Sequence, residues 1–406
     1  MVTKVPGGRP QSRPQLVSEG MTGTGEALQY AGTPHMRSGN SPIRSHVDLT
    51  GDQYMTNLTR AHVIALDWGT TRCRAYVLGD GGVVLSELES CSGVMAVSAR
   101  ACADGVPSAQ VFEQVFDELC GEWLAEVPRI PVIACGMVGS NQGWAEAAYR
   151  RVPVDLSSPG PALTTVRTAA GVVVSIIPGL IFEAALPDVM RGEESQILGA
   201  LAGAQGARTG GASAERIVLL PGTHSKWVRV VDTTVTDFTT CMTGEFYALL
   251  MKDSTLSLLA VRSDLPDWVA FERGLEVATS KAGIGGILNT AFSARTMVMT
   301  GALAPNQVED YVSGLLIGHE LAGIGASWLA GSSNEVLLCG STQLNERYGR
   351  ALELRGVTVA LAVARSAAAG MWQVAVAAGL VQDPAAIGGS RHGARGPERS
   401  ERDDAN

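Results

Sequence analysis

The segment 64–77 constrains the fold more than any other part of the sequence. Its apolar run ends in Asp67-Trp68-Gly69-Thr70-Thr71, and alternating apolar and polar residues follow directly. This pattern predicts a strand, a tight turn and an antiparallel strand. The turn suits a phosphate chain with Mg²⁺, because amides and hydroxyls donate to phosphate oxygens and a carboxylate holds the water shell of the metal. The alternative is an ordinary hairpin turn in which Asp67 accepts backbone N–H groups.

A second hairpin of the same design occurs at residues 217–231. An apolar run again ends in a Gly-Thr turn, Gly222-Thr223-His224, and a second apolar run follows from Ser225. Two such hairpins predict a duplicated domain whose halves face each other across a nucleotide. The chain has no Gly-x-x-x-x-Gly-Lys-Ser/Thr pattern, and the glycines at 283–286 lack the third glycine of a dinucleotide fingerprint. A P-loop or Rossmann nucleotide site is therefore not expected.

With both hairpins, the sequence resembles the superfamily of sugar kinases, Hsp70 and actin, whose two hairpins are called phosphate-1 and phosphate-2. The resemblance narrows to the 2-dehydro-3-deoxygalactonokinase family, which transfers the γ-phosphate of ATP to a 2-keto-3-deoxy sugar acid. The matching segments are 65–71, 134–140, 188–196 and 220–227. The resemblance implies an α/β fold of two ribonuclease-H-like (actin-like ATPase) domains with a nucleotide cleft between them, and ATP and Mg²⁺ as cofactors.

Composition and turn signals divide the chain into four parts. Residues 1–60 are rich in Gly, Pro, Ser, Thr and Arg and lack apolar periodicity, and 384–406 carry mixed charges, so both are predicted to be disordered. Residues 61–206 are predicted to form the first domain, and 215–383 the second, with a linker around Gly210-Gly211. The resemblance implies that the first domain holds mainly the substrate and the second mainly the nucleotide.

Both halves show the same order of predicted elements: three strands, a helix, a strand and a helix. In the first half the predicted elements are strands 62–68, 72–79, 82–90, 131–135 and 172–177 and helices 109–126 and 191–205. In the second half they are strands 216–220, 225–231, 234–241, 335–339 and 357–363, and helices 244–252, 342–355 and 366–381, with further helices between 268 and 330. This internal repeat supports a duplication.

Composition excludes several classes of function. A net charge of −9 and 5% aromatic residues argue against a nucleic-acid-binding surface. The longest apolar stretch, 367–381, is shorter than the roughly 20 residues of a membrane span. The seven cysteines form no Cys-x-x-Cys pair, which predicts a reduced, cytoplasmic protein without zinc. The expected partners are a small sugar acid and ATP, with neither nucleic acid nor membrane; a homo-oligomer is one open alternative.

The resemblance implies a set of nucleotide-binding residues. Asp67 would orient Mg²⁺ on the β- and γ-phosphates. The other candidates are Gly69, Thr70, Thr71, Gly222, Thr223, His224, Ser225, Lys226 and Gly340. His224 has the alternative of a packing or turn residue. Lys226 has three alternatives: a phosphate contact, a partner of the substrate carboxylate or an exposed strand lysine.

The segment 188–196 is predicted to follow a strand and open a helix, where acidic side chains are stabilised. In related sugar kinases, an acid at the start of the corresponding helix takes the proton of the attacking hydroxyl. This match favours Glu193 as the base, with Asp188 and Glu194 as rivals; the alternative is that these are simple first-turn acids. Arg191 would bind the substrate carboxylate or the transferring phosphoryl group.

The turn Gly136, Ser140 and Asn141 resembles the segment that lines the cleft on the substrate side, although such a turn also occurs in ordinary loops. The resemblance implies phosphorylation of the terminal hydroxyl of 2-dehydro-3-deoxy-D-galactonate to the 6-phosphate. The alternatives are a kinase of another sugar or of the gluconate-derived epimer, a sugar-sensing regulator of the same fold, and a filament-forming or chaperone-like ATPase.

Overall fold

The computed structural model describes residues 43–45, 58–158, 163–205, 215–330, 335–362 and 364–382. These all belong to one compact unit, Pro42–Asn406. The predicted linker before Glu215, the tail 384–406 and most of residues 1–60 lie outside the described residues. The bounds predicted for the two domains stay a prediction.

The strands of the described residues are β1 (Ile43–Ser45), β2 (Val63–Trp68), β3 (Cys73–Leu78), β4 (Val84–Ser90), β5 (Val132–Cys135), β6 (Arg150–Arg151), β7 (Val154–Asp155), β8 (Thr164–Arg167), β9 (Val173–Ile176), β10 (Leu180–Phe182), β11 (Asp188–Met190), β12 (Glu215–Leu220), β13 (Ser225–Val231), β14 (Thr234–Cys241), β15 (Glu335–Leu338) and β16 (Thr358–Leu361). The α-helices are α1 (Val94–Asp104), α2 (Ser108–Glu126), α3 (Glu193–Gln205), α4 (Thr243–Asp253), α5 (Trp268–Thr279), α6 (Gly286–Thr290), α7 (Ser293–Met299), α8 (Val308–Glu320), α9 (Ala326–Leu329), α10 (Thr342–Glu353) and α11 (Ser366–Ala377).

Two mixed sheets repeat one topology. The first has the order β1-β4-β3-β2-β5-β9-β8, and the second has the order β16-β15-β12-β13-β14-β7. Each sheet contains three consecutive antiparallel strands, which are β2, β3 and β4 in the first sheet and β12, β13 and β14 in the second. Two further strands, β5 and β9 or β15 and β16, extend the sheet in parallel from β2 or β12. A small sheet, β11-β10-β6, accompanies them. This repetition confirms the predicted fold class, an α/β protein with two ribonuclease-H-like domains.

Strand alternation decides what each residue of the first hairpin faces. On β2, Ile64 and Leu66 lie in an outer apolar cluster with residues of α1 and α2. Val63 and Ala65 lie in a central cluster with residues of α3 and α11. Because side chains alternate between the faces of a strand, Asp67 follows Val63 and Ala65 towards the central side.

The second hairpin obeys the same rule. On β13, Val228 and Val230 lie in the central cluster, whereas Trp227 lies in a different outer cluster with residues of α5, α8 and α10. Lys226 therefore shares the central side with Val228, and Ser225 shares the outer side with Trp227. Two neighbouring residues of one turn thus serve opposite faces of the second sheet.

The helices α3 and α11, which follow the last strand of each half, cross at glycines. A Cβ atom on Gly199 would lie 1.9 Å from the carbonyl oxygen of Ser366, and one on Gly370 would lie 1.8 Å from that of Ser195. Real Cβ atoms do not approach so closely, so only glycine permits this backbone contact. The crossing joins the two halves of the central cluster.

Most predicted strands and helices lie within two residues of the observed bounds. The last predicted helix ends earlier, at Ala377, and Gly379 beyond it has a positive φ of 70°. The sequence does not predict α1 or the short strands β6, β7, β8, β10 and β11. Strands of two to four residues are too short to show an alternating pattern.

Two edge strands depart from the predicted organisation. Residues 43–45, within the segment predicted to be disordered, form β1 and pair with the edge strand β4. β7 lies among residues of the first half but pairs with β14 of the second sheet. In both cases an edge strand offers unpaired N–H and C=O groups that a short passing segment satisfies.

The helix crossing leads to a stability prediction. We expect Gly199→Ala to lower the free energy of unfolding by about 1–3 kcal/mol, because the new methyl group must push α3 and α11 apart. Gly121 in α2 is the control, because its Cβ would meet no atom within 4 Å. Gly121→Ala should raise the free energy of unfolding by up to about 1 kcal/mol through helix propensity. Urea unfolding measures both, and equal values for the two variants would contradict the proposed close contact.

Candidate active site

The start of α1 holds the first hairpin turn by two backbone hydrogen bonds. The N–H groups of Val94 and Met95 donate to the carbonyl oxygens of Gly69 (3.1 Å) and Thr70 (3.0 Å). The side chains of Thr70 and Thr71 are exposed. The helix start thus orients the turn by its carbonyl groups and leaves both hydroxyls available. The spacing of buried Val94, Val97 and Ala101 and the left-handed Gly105 after the helix are the signals that would have predicted α1.

Asp67 lies at the end of β2 with 18% of its side chain exposed, and Arg74 Nη1 lies 3.9 Å from its Oδ2. The Cys135 thiol donates to its Oδ1 at 3.9 Å. Burial raises the pKa of Asp67 above its ordinary value; the charge of Arg74 opposes this rise, and the nearby Glu193 adds to it. The carboxylates of Asp67 and Glu193 are therefore close enough to repel each other, and a cation bound near them would stabilise their charged forms.

The second hairpin turn contacts the first domain through Lys226. Its buried Nζ lies 3.2 Å from Glu193 Oε1 and donates to the carbonyl oxygen of His224 at 3.1 Å. Thr223 and His224 are exposed, and His224 Nε2 lies 2.5 Å from Glu245 Oε2. The Lys226–Glu193 ion pair joins the second hairpin turn to the start of α3. Of the three alternatives for Lys226, the exposed strand lysine is wrong.

Ser225 does not face the cleft, contrary to the prediction. Its side chain is fully buried, and its Oγ lies 3.0 Å from the hydroxyl of Tyr348. The reason is the strand alternation that sends Lys226 and Ser225 to opposite faces. Ser225 is therefore removed from the candidate phosphate contacts.

The segment 188–196 also differs from its prediction. The helix begins at Glu193, and Asp188 lies in β11, where its Oδ1 accepts hydrogen bonds from Val189 N (2.7 Å) and Thr240 Oγ1 (2.8 Å). The helix predicted from residue 191 begins two residues later, and the three-residue strand before it was not predicted. Thr240 belongs to β14, so Asp188 bonds to the second sheet rather than facing Asp67.

Both acids at the start of α3 accept backbone N–H groups. Glu193 Oε2 accepts from Arg191 N at 3.0 Å, and Glu194 Oε2 accepts from Gly192 N at 2.7 Å. The two carboxylates differ in their surroundings, because Glu193 is partly exposed and Glu194 is buried. Burial, and then repulsion by Glu193, raises the pKa of Glu194 to about 8.

Arg191 is buried and points towards the loop that follows β5. Its Nη2 donates to the carbonyl oxygen of Ala147 at 2.7 Å, and its guanidinium lies 4.3 Å from the centre of the Tyr149 ring. Its Nε and Nη1 are buried and have no hydrogen-bond partner among the described residues. Buried donors are rarely left without an acceptor, so a water molecule or an anion is needed to satisfy these N–H groups.

Glycines allow three segments to meet at this point. Gly136 and Gly192 have positive φ angles of 92° and 106°. A Cβ atom on Gly136 would lie 2.7 Å from the carbonyl oxygen of Trp68, and one on Gly192 would lie 3.1 Å from Gly136 Cα. The end of β2, the turn after β5 and the start of α3 are therefore in backbone contact. In that turn Ser140 is buried and accepts a hydrogen bond from Gln142 N, whereas Asn141 is exposed.

A cleft of about 1040 Å³ opens between the two sheets. Asp67 and Arg74 line it from the first sheet, and Gly340 and Asn345 line it at the start of α10. Asn345 Nδ2 donates to the carbonyl oxygen of Gly340 at 3.0 Å. Arg74 and Asn345 were not predicted as site residues from the sequence. The signal for Asn345 is its position one turn after Ser341, the residue that caps α10.

One aromatic residue and one cationic residue of this cleft were also not predicted from the sequence. Arg350 of α10 lies 5.2 Å from the centre of the Trp268 ring, and both residues line the cleft. No motif surrounds Trp268, which is a single aromatic residue at a helix start. Only the packing of α5 against α10 places it here.

The described residues contain no group of three or more His, Cys, Asp or Glu side chains that could hold a metal ion. This donor set fits Mg²⁺ nevertheless, because Mg²⁺ is usually held by one or two carboxylates together with substrate phosphates and water. Asp67 is the carboxylate that the geometry offers. In the same described ranges, no helix combines the length and hydropathy needed to cross a bilayer.

The duplicated fold, with the Lys226–Glu193 ion pair between its two halves, belongs to the actin-like ATPase class. A family model described as 2-keto-3-deoxy-galactonokinase matches residues 67–374. A probable 2-dehydro-3-deoxygalactonokinase of Rhizobium meliloti is 34% identical over 304 residues, which cover 74% of this chain and 92% of the relative. A 2-dehydro-3-deoxygalactonokinase of Escherichia coli is 36% identical over 301 residues, with the same coverage of 74% and 92%.

A solved structure agrees with these sequence matches. The crystal structure of a proposed 2-dehydro-3-deoxygalactonokinase from Sinorhizobium meliloti superposes with a TM-score of 0.65 at 33% identity, and covers 78% of this chain and 99% of that one. The chain belongs to the 2-keto-3-deoxy-galactonokinase family. It is thus a phosphotransferase with an alcohol group as acceptor, which confirms the predicted enzyme class.

The raised pKa of Glu194 leads to a pH prediction. In the folded protein this pKa is about 8, above the ordinary value of 4.5, so the folded state holds the proton more tightly than the unfolded chain. The contribution of Glu194 to the free energy of unfolding should therefore be full below the ordinary value, fall as pH rises towards about 8 and stay low above it.

We expect Glu194→Gln to remove this pH dependence, because the amide oxygen still accepts the Gly192 N–H without titrating. Urea unfolding of both proteins at several pH values between 5 and 9 measures the difference (roughly the range over which the group titrates). Glu118→Gln, at a side chain that is 44% exposed, is the control. A difference between wild type and Glu194→Gln that does not change with pH would refute the assignment.

Proposed function

We propose that this protein is an ATP-dependent sugar-acid kinase that phosphorylates the terminal hydroxyl of 2-dehydro-3-deoxy-D-galactonate to the 6-phosphate. The observation that carries this proposal is the ion pair between Lys226 of the phosphate-2 hairpin and Glu193 at the start of α3. It joins the second hairpin to the candidate base, and Asp67 of the first hairpin lies close enough to Glu193 for the two charges to interact. The names of the relatives from Rhizobium meliloti and Escherichia coli support the same acceptor.

The nucleotide would lie in the cleft with its phosphates between the two hairpin turns. The hydroxyls of Thr70 and Thr71 and the exposed Thr223 are the hydrogen-bond donors on the two sides. Gly340, which lines the cleft and packs against Pro221 just after β12, would contact the adenosine. Asp67 would hold Mg²⁺ through its water shell, and when bound this ion neutralises charge on the transferring phosphoryl group.

Glu193 is proposed to accept the proton of the attacking hydroxyl. Its carboxylate is partly exposed, whereas Glu194 is buried and holds the Gly192 N–H, and Asp188 bonds to β14. Glu193 is therefore the acid of the three that is both partly exposed and paired with a lysine of the second hairpin. Lys226 holds it in place and brings a positive charge to the side where phosphate charge develops.

Arg191 is proposed to bind the carboxylate of the sugar acid. Its guanidinium contacts Ala147 and Tyr149, and its Nη1 lies beside Gly139 in the turn after β5. The unpartnered Nε and Nη1 are charged donors that a carboxylate oxygen satisfies, while Nη2 is already bonded to Ala147. This orientation favours the substrate carboxylate over the transferring phosphoryl group as its partner.

We also propose that the protein works in the cytoplasm as part of carbohydrate catabolism. All seven cysteines are free thiols, and four of them are buried, which suits a reducing compartment. The proposed partners are small molecules, the sugar acid and ATP.

A coupled assay of ADP release tests the function. The acceptors are 2-dehydro-3-deoxy-D-galactonate, its gluconate-derived epimer, aldonates and neutral hexoses, each with Mg·ATP. We expect ADP release with the galactonate-derived acid, and much less with neutral hexoses because they leave the donors of Arg191 without an acceptor. Preference for the epimer or for a neutral sugar would overturn the acceptor, and equally fast ADP release without any acceptor would overturn the kinase function.

Asp67→Asn tests the role proposed for this carboxylate. We expect turnover to fall by about a hundredfold or more, because the transferring charge loses its stabilisation. The fold should persist, since the burial that raises the pKa of Asp67 does not penalise a neutral amide. Asp80→Asn is the control, because Asp80 lies at the other end of β3 with 55% of its side chain exposed. Wild-type turnover in Asp67→Asn would refute the role.

A further inference from the structure

A buried carboxylate beneath the second hairpin has no part in the mechanism above. Glu320, the last residue of α8, is 7% exposed. Its Oε1 accepts from Trp227 Nε1 at 2.8 Å, and its Oε2 accepts from the hydroxyl of Tyr348 at 2.7 Å and from Thr243 Oγ1. A π-helical turn, Leu321–Gly325, follows directly. Such turns insert a residue into a helix and occur frequently at functional sites.

The three partners of Glu320 come from the elements that surround the nucleotide end of the cleft. Trp227 lies in β13, next to Lys226. Thr243 begins α4, and two residues later Glu245 N donates to the carbonyl oxygen of Thr223 in the phosphate-2 turn at 2.9 Å. Tyr348 lies in α10, the helix that begins beside Gly340 and Asn345 in the cleft. One carboxylate thus connects three separate elements.

The direction of the hydrogen bonds follows from the charge of Glu320. An ionised carboxylate only accepts, so Tyr348 must donate its proton to Glu320. The Tyr348 oxygen is then free to accept from Ser225 Oγ, 3.0 Å away in the phosphate-2 turn. Burial raises the pKa of Glu320, and the three donors oppose this rise, as expected where donors surround an ionised group.

Stability alone does not explain this arrangement. A buried charge with full hydrogen bonding contributes little net stability compared with apolar residues of the same volume, because desolvation offsets the attraction. What the carboxylate provides is fixed geometry, since its acceptors hold three donors at set directions. The elements so held are those that carry Thr223, Lys226 and Asn345.

We propose that Glu320 is a positioning residue for nucleotide binding: it holds the phosphate-2 turn in register with α10 and α4. The inference rests on the proposed function, because it assigns ATP to this cleft. Through Trp227, and through Tyr348 to Ser225, it fixes the outer face of β13, while Lys226 on the opposite face meets Glu193. The placement of the second hairpin turn relative to the start of α10 then depends on Glu320.

Glu320→Gln tests this role with almost no change of shape. Trp227 Nε1 is only a donor, so the amide oxygen must face it and the amide NH₂ must face the two hydroxyls. Tyr348 then has to accept, and its own proton must turn to Ser225, which reverses the hydrogen bond to the phosphate-2 turn. Tyr348→Phe breaks the same connection at its middle and keeps the aromatic ring.

Calorimetry measures the dissociation constant of the protein for a non-hydrolysable ATP analogue in the presence of Mg²⁺. Steady-state kinetics give the KM values for ATP and for the sugar acid, and thermal unfolding gives the stability. We expect both variants to weaken analogue binding about tenfold, the size of one lost hydrogen bond to a charged group. The KM for ATP should rise in parallel, and the KM for the sugar acid should stay unchanged.

Thr290→Val is the matched control. Thr290 is 3% exposed, and its Oγ1 lies 2.7 Å from Nε2 of His319, the residue that precedes Glu320 in α8. This variant removes a partly buried hydrogen bond to His319 of α8, and among the described residues the Thr290 hydroxyl bonds to none in the second hairpin. We expect lower thermal stability with wild-type analogue binding.

Each result decides the matter. Wild-type analogue binding by a folded Glu320→Gln, or weakening as large in Thr290→Val, overturns the positioning role. If Glu320→Gln does not fold, Tyr348→Phe decides by the same criteria. Failure of the wild-type protein itself to bind the analogue or to phosphorylate any sugar acid would instead refute the proposed function, so the two failures are distinguishable.

Discussion

The contact between α3 and α11 at Gly199 and Gly370 is the constraint on which the rest of the structure depends. Each helix covers the central face of one sheet, and the two backbones touch because neither glycine carries a side chain. The two domains therefore share the central cluster, and each also has an outer cluster of its own. Directly along α3 from this contact lies Glu193, so the crossing also sets how near the candidate base comes to the second domain.

The alternation of side chains along a strand explains the candidate site in both hairpins. In each hairpin, strand alternation turns one polar residue towards the central side: Asp67 in the first and Lys226 in the second. Glu193 lies between them, with an ion pair to Lys226 and a repulsive neighbour in Asp67. Opposite charges from the two domains thus meet at the end of a common cleft, which is the arrangement that a triphosphate and its metal require.

Much of the fold could be predicted because the main strands are long enough to show their periodicity. The two hairpins and their order relative to the following helices follow from apolar runs and Gly-Thr turns. The short strands could not be predicted, because two or three residues show no period and are held only by pairing with a sheet edge. The same limit explains why β11, the three-residue strand that contains Asp188, was not predicted before α3.

The sequence by itself determined the duplicated α/β plan, the family and the polar residues at each turn, because these depend on local periodicity and on short motifs. Only the tertiary structure decided which of those residues meet. Lys226 turned inwards to Glu193, Ser225 turned outwards to Tyr348, and Glu320, which no motif marks, came to lie beneath the second turn. The physical reason is that such pairs join residues far apart in sequence, so their partners are chosen by how the sheets and helices pack.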